Sequence, residues 1–134
     1  MASTGIVDTR LLLTLEFPPD EETKGSIQEL VQRELGSKLL APSIVLTEFI
    51  KFAGARLGKD SARTRLALLN ERGMRYAAIG EKEALTAGDL LLSHRDAPLA
   101  DALVASFVIN REGEYVLSDD PHYREFGVKT RWLR

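Results

Sequence analysis

The 134-residue chain is predicted to fold as a three-layer α/β domain around a mostly parallel sheet of four to five strands. Three observations carry that expectation. Short apolar runs alternate with longer stretches of helical periodicity along the whole chain, the pattern of strand–crossover–strand units. The composition, 44% hydrophobic and 28% charged, suits one buried core, so a single domain over 1–134 is expected. Carboxylates recur just after the apolar runs, where open parallel sheets bind their ligands.

The elements follow in order. GIVDT at 5–9 reads as a buried strand ending in Asp8, then a turn into a helix over 10–17 that Pro18 and Pro19 stop. The acidic DEE at 20–22 reads as a solvated loop. SIQELVQREL at 26–35 places Ile27, Leu30, Val31 and Leu35 on one helical face, and Gly36 ends it. That face is read as core rather than as a dimer interface. KLLAP at 38–42 is a second strand. Ser43 is expected to cap a helix to about Leu57, with Gly58 at its C-terminus and Asp60 or Ser61 capping the next helix over 61–72. MRYAAIG at 74–80 is a third strand, and 81–95 returns to helical spacing. PLADALVASFVI at 98–109 is apolar all round, hence a buried helix, with Pro98 in its first turn and Asp96 or Ala97 as its cap. EYVLS at 114–118 is a fourth strand and VKTRWL at 128–133 a fifth.

Net charge is −2, so any nucleic-acid contact must come from a local patch or from metal ions. Cysteine is absent, which excludes disulfides, thiolate nucleophiles and cysteine zinc sites. LLLTL at 11–15 is too short for a signal-peptide core and no apolar stretch reaches 18 residues, so a cytoplasmic chain that does not span a membrane is expected.

Asp101 is the anomaly in the buried helix. A carboxylate there must be paired, hydrogen-bonded or bound to metal, or else sit at the positive end of the helix dipole. Glu48 is equally out of place among Ile44, Val45, Phe49 and Phe52, and stands five residues after Ser43, so it is not the reciprocal acid of a capping box. Asp8 ends the first strand, and Asp119 and Asp120 follow the fourth. If Asp8, Glu48, Asp101 and Asp120 meet at one sheet edge, they must take up protons or hold a cation, because two unit charges about 4 Å apart repel by roughly 4 kcal/mol at an effective dielectric near 20. An all-oxygen set selects Mg²⁺ or Mn²⁺, the ions that assist in-line attack of water on a phosphodiester. Other chemistries are poorly supported. His94 and His122 read as surface or capping residues, His122 less firmly because it follows Asp120 by two, and there is no H-x-x-x-H pair, G-x-S-x-G elbow, G-x-G-x-x-G turn or Walker loop. A receiver domain or a dehalogenase-like phosphatase would want a second acid close after Asp8, where Thr9 and Arg10 stand.

VDT at 7–9, PSIVLTEF at 42–49, PLADALVAS at 98–106 and LSDDPHY at 117–123 resemble, in order and spacing, the four signature segments of PIN domains, and more narrowly of the small VapC-type toxins. The resemblance implies an α/β/α sandwich, Mg²⁺- or Mn²⁺-dependent ribonuclease activity, a homodimer and a cognate VapB-type antitoxin. It assigns the catalytic, metal-holding acids to Asp8, Glu48, Asp101 and the aspartate after the fourth strand, with Asp120 favoured over Asp119. Thr9 and Ser118 match supporting hydroxyl positions, Ser118 replacing the usual threonine. Arg10 departs from the small residue common after VDT and is expected to point to solvent, with neutralisation of the acids or contact to RNA phosphate as alternatives. Lys51, Arg56, Lys59, Arg63 and Arg65 read first as a solvated face and second as a phosphate-binding patch, to which Arg10, Lys51, Arg56 and Arg63 are the candidate contributors. The alternative function is a non-catalytic PIN-like module that binds RNA or protein.

Overall fold

The computed structural model describes residues 3–133. Five strands, β1 (Thr4–Val7), β2 (Lys38–Pro42), β3 (Met74–Ala77), β4 (Tyr115–Leu117) and β5 (Thr130–Arg131), form one sheet in the order β3-β2-β1-β4-β5 with every pairing parallel. Helices α1 (Thr9–Glu16), α2 (Glu21–Leu35), α3 (Ser43–Leu57), α4 (Lys59–Glu71), α5 (Glu81–Ser93), α6 (Leu99–Ile109) and α7 (Pro121–Glu125) connect them. The path steps from β1 out to β3 and then returns across the sheet to β4. Right-handed crossovers therefore place α1 to α4 on one face and α5 and α6 on the other, giving the expected three layers. Because β2 and β4 leave β1 in opposite directions, a crevice opens at the carboxyl ends of β1 and β4.

The expected core is present: Ile6 and Val7 of β1, Val116 and Leu117 of β4, and Ile27, Leu30 and Val31 of α2 are all buried. Ile27, Leu30 and Val31 thus belong to the core. Gly113 lets the turn before β4 pass against β1, since a Cβ there would collide with the Ile6 side chain and approach the Thr4 carbonyl. Gly58 ends α3 at φ 89°, a left-handed conformation that favours glycine.

Several boundaries differ from the sequence expectation. DEE at 20–22 is not a loop: the Asp20 carboxylate accepts from the Thr23 amide at 2.7 Å, and Glu21 and Glu22 occupy the first turn of α2. The composition that suggested solvent is also what a helix dipole favours at its N-terminus. Ser43, Asp60 and Ser61 do not cap; Pro42 and Gly58 hold the N-cap positions of α3 and α4, with no side-chain cap bond at either. Likewise Pro98 itself, extended at φ −67° and ψ 144°, is the N-cap of α6, so Asp96 and Ala97 lie outside it. The third strand stops at Ala77. Helix α7 was not anticipated, although Asp120 followed by Pro121 is a helix-start signature. His94 takes the capping role expected of it, as the C-cap of α5, with its ring Nδ1 3.1 Å from the Leu90 carbonyl.

Candidate active site

Four acids from four parts of the chain line one open cleft of about 1030 Å³ at the carboxyl edge of the sheet: Asp8, Glu48, Asp101 and Asp120. Each is placed by a local feature. Asp8 follows β1 directly and caps α1, its Oδ1 accepting from the Thr9 amide at 2.7 Å. The Thr9 hydroxyl donates to Glu48 Oε1 at 2.5 Å, tying the start of α1 to α3 and fixing the Glu48 carboxylate in the cleft wall. Asp101 stands in the first turn of α6, and its residue surface is only 8% exposed. Asp120 caps α7, accepting from the His122 amide at 2.9 Å, while its own amide donates to Ser118 Oγ at 3.1 Å. The two expected supporting hydroxyls, Thr9 and Ser118, are both buried beside the acids.

The group that meets Asp101 is His122. Its Nδ1 lies 3.1 Å from Asp101 Oδ2 and 2.8 Å from Asp120 Oδ1, and one ligand atom from each of the three residues falls within 4.8 Å of the others. Asp8 and Glu48 share the cleft without joining that tightest group. Asp101 Oδ2 is buried and accepts no hydrogen bond of good geometry, so the imidazole answers it by charge more than by a formed bond.

The electrostatics are those of acids that are buried first and crowded second. Burial, then the charges of Asp120 and Asp8, push the Asp101 carboxyl up to about 7, against the opposing pull of His122. Burial likewise raises Asp8 to about 6, although donors on Ser118 and Thr9, and the nearby Tyr123 hydroxyl, offset part of that rise. Burial also works against the Asp120 anion, but the His122 amide, the Asp101 carboxyl acting as donor and the His122 ring outweigh it and hold Asp120 below the usual range. Burial opposes the imidazolium, yet the hydrogen bond to Asp120 and the charges of Asp120 and Asp101 raise His122 above its ordinary value. Oxygens of Asp101 and Asp120 converge with the His122 ring nitrogen in the space that a divalent cation would fill. This fits a hard cation, because the acidic oxygens converge on one place.

Arg10 does not simply point to solvent. It pairs with Asp119, its Nη2 3.2 Å from Asp119 Oδ2, and its guanidinium lies 5.8 Å from the centre of the Trp132 ring. Asp119 is therefore turned toward Arg10, whereas Asp120 lines the cleft with Asp101. Of the candidate phosphate contacts, Arg10, Lys51 and Arg56 line the cleft; Arg63 is exposed and does not. Arg65 pairs instead with Glu16 at 2.8 Å.

Sequence reasoning left two neighbours out of the site. His122 carried a signal in its position two residues after Asp120. Tyr123 is fully buried, and its hydroxyl lies close enough to influence Asp8 yet completes no hydrogen bond there. Nothing in the sequence distinguishes it from an ordinary core tyrosine.

The PIN domain family model matches residues 6–129, and the chain belongs to that family. No curated protein matches it. Among solved structures, VapC20 of Mycobacterium tuberculosis, a sarcin-ricin loop cleaving toxin, superposes with a TM-score of 0.77 at 18% identity, covering 94% of this chain and 96% of that one. VapBC2 of Rickettsia felis, bound to a promoter DNA fragment, gives 0.73 at 14% identity over 98% and 99% of the two chains. DNA-bound VapBC of Salmonella typhimurium gives 0.69 at 18% identity over 98% of each. At these identities the likeness is one of fold.

Proposed function

We propose that this protein is a Mg²⁺- or Mn²⁺-dependent endoribonuclease and the toxin of a VapBC-type pair. The observation that carries the reading is the convergence of Asp8, Glu48, Asp101 and Asp120 on one cleft, with Asp101 and Asp8 raised to about 7 and about 6. Membership of the PIN family and the fold shared with a sarcin-ricin loop cleaving toxin support RNA as the substrate.

Asp8, Asp101 and Asp120 are the proposed ligands, with Glu48 held beside them by Thr9. A divalent ion bound there supplies Lewis acidity for phosphodiester hydrolysis, activating water and stabilising charge on the leaving oxygen. The chain's own part would be to offer Asp8, Asp101 and Asp120 to the ion as carboxylates, to hold His122 on Asp120, and to position phosphate with Arg10, Lys51 and Arg56. Direct attack by water on the phosphodiester is the proposed course.

The antitoxin is proposed to be of VapB type, by analogy with the VapBC and FitAB complexes that share the fold. A homodimer is supported by Leu85 and Leu92, seven residues apart on α5 and 63% and 66% exposed. No helix among the described residues is long and apolar enough to cross a membrane, and a cytoplasmic setting is proposed with the cysteine-free composition in support.

The test is cleavage of a labelled RNA with Mn²⁺ and with EDTA, alongside calorimetric Mn²⁺ binding by wild type and Asp101→Asn. Cleavage and binding that disappear together in the variant are the expected result. Metal-independent binding of RNA that stays full length in every condition would instead favour the non-catalytic module.

A further inference from the structure

Three of the four cation–aromatic contacts among the described residues line the acidic cleft. The Arg56 guanidinium sits 3.9 Å from the centre of the Phe17 ring, Lys51 Nζ 5.2 Å from that of Phe52, and the Arg10 guanidinium 5.8 Å from that of Trp132. They do not come from one segment: Arg10 and Phe17 bracket α1, Lys51, Phe52 and Arg56 belong to α3, and Trp132 follows β5. Phe52 is 46% exposed on a helix whose other aromatic, Phe49, is buried, so it is not a core residue that slipped outward.

A ring stacked on a cation serves a nucleic acid in two ways. It holds a flexible side chain in one place, so less entropy is lost when the cation meets a phosphate. It also offers an apolar face on which an unpaired base stacks, which a paired, stacked base cannot use. Four acids in the same cleft repel a phosphodiester chain, so grip on a substrate must come from contacts that the acids do not oppose. Base stacking is such a contact.

The geometry points to Phe52 and Trp132 as base-stacking residues that grip unpaired nucleotides on either side of the acids, each working with its own cation, Lys51 or Arg10. This rests on the reading of RNA as substrate and adds to it the residues that select unpaired bases. They are specificity residues that touch the substrate's bases, away from the reacting phosphate.

Trp132 is the chain's only tryptophan, so its fluorescence reports directly on stacking. The experiment titrates wild type, in EDTA so that nothing is cut, with a labelled single-stranded RNA, an abasic strand of equal length and an RNA duplex, following Trp132 emission and probe anisotropy. Quenching by the single strand, and none by the abasic strand or the duplex, is expected. Phe52→Leu and Trp132→Leu, which keep apolar bulk, should weaken single-strand binding by about 5- to 100-fold and leave abasic-strand binding unchanged, with Phe52→Tyr and Trp132→Phe restoring it. Circular dichroism and melting verify the fold of each variant. Equal affinity for the abasic and natural strands overturns the inference, as do leucine variants that bind like wild type or a cleft that ignores RNA and takes only a peptide. The two readings fail separately: cleavage with Mn²⁺ but no quenching removes the stacking role and leaves the nuclease, whereas quenching in EDTA with no cleavage under Mn²⁺ does the reverse.

Discussion

Two buried carboxylates, Glu34 and Asp101, are 5% and 8% exposed, yet they live in opposite company. Glu34, near the end of α2, accepts a hydrogen bond from the Tyr115 hydroxyl, and Arg33 and Arg131 each bring a guanidinium nitrogen to 3.9 Å. Arg131 also stacks on the Tyr115 ring at 3.9 Å, so donors surround that acid. Asp101 faces other acids, with one imidazole between them. A buried acid met by donors fastens elements together. A buried acid met by acids is held in tension that the fold alone does not relieve, and that is the mark of a binding site.

The sharpest way to break this comparison is to neutralise each acid in turn. Asp101→Asn or Asp8→Asn should lower metal-dependent RNA cleavage by on the order of 100-fold or more while the metal-free melting temperature holds or rises, since the repulsion is relieved. A variant that melts lower and cuts normally would put Asp101 in the same class as Glu34.

Next in size is the response to pH. Asp8 at about 6 and Asp101 at about 7 bind protons more tightly folded than unfolded, where an aspartate titrates near 3.8. At these two acids the folded state then carries more protons than the unfolded one across that window, so their contribution to metal-free stability falls as pH rises through about 4 to 7, by about 2 to 3 kcal/mol for Asp8 alone. Melting curves in EDTA at pH 5 and pH 8 check the sign. Added Mn²⁺ should raise the melting temperature more at pH 8 than at pH 5, because binding must displace the protons.

Glu34→Leu should cost about 1 to 3 kcal/mol of stability by stranding the Tyr115 hydroxyl, and denaturant titration measures it. Cleavage per folded molecule should be unchanged. The smallest effect belongs to the exposed partner of Arg10: Asp119→Asn should leave cleavage within a few-fold of wild type and change stability by less than about 1 kcal/mol, while Asp120→Asn behaves like Asp101→Asn. Parallel cleavage assays of the two asparagine variants distinguish the adjacent aspartates.

Much of this was legible in the sequence because it depends on local chemistry. Apolar runs marked the first four strands, and the supposed meeting of Asp8, Glu48, Asp101 and Asp120 rested on reading those runs as a parallel sheet and on the resemblance to PIN domains. Helix starts were read less well. At 20–22 an acidic cluster that suits a solvated loop also suits the first turn of a helix, and only the Thr23 amide seeking Asp20 decides between them. What no local pattern carries is who meets whom across the fold. The pairing of Arg10 with Asp119, the Thr9–Glu48 bond, and the insertion of His122 between two aspartates each join residues whose proximity is set by strand order and side-chain direction.

The return of the chain from β3 across to β4 means that no stretch shorter than residues 8 to 120 holds all four acids. Asp8 stands near the start of the chain, and Asp101 and Asp120 reach it only through the packing of α6, β4 and the turn after β4 beside β1. All four acids therefore meet only in a nearly complete domain, and opening the β4 edge would separate Asp120 from Asp8. The cleavage proposed above would then be a sensitive report of whether the whole sheet is closed.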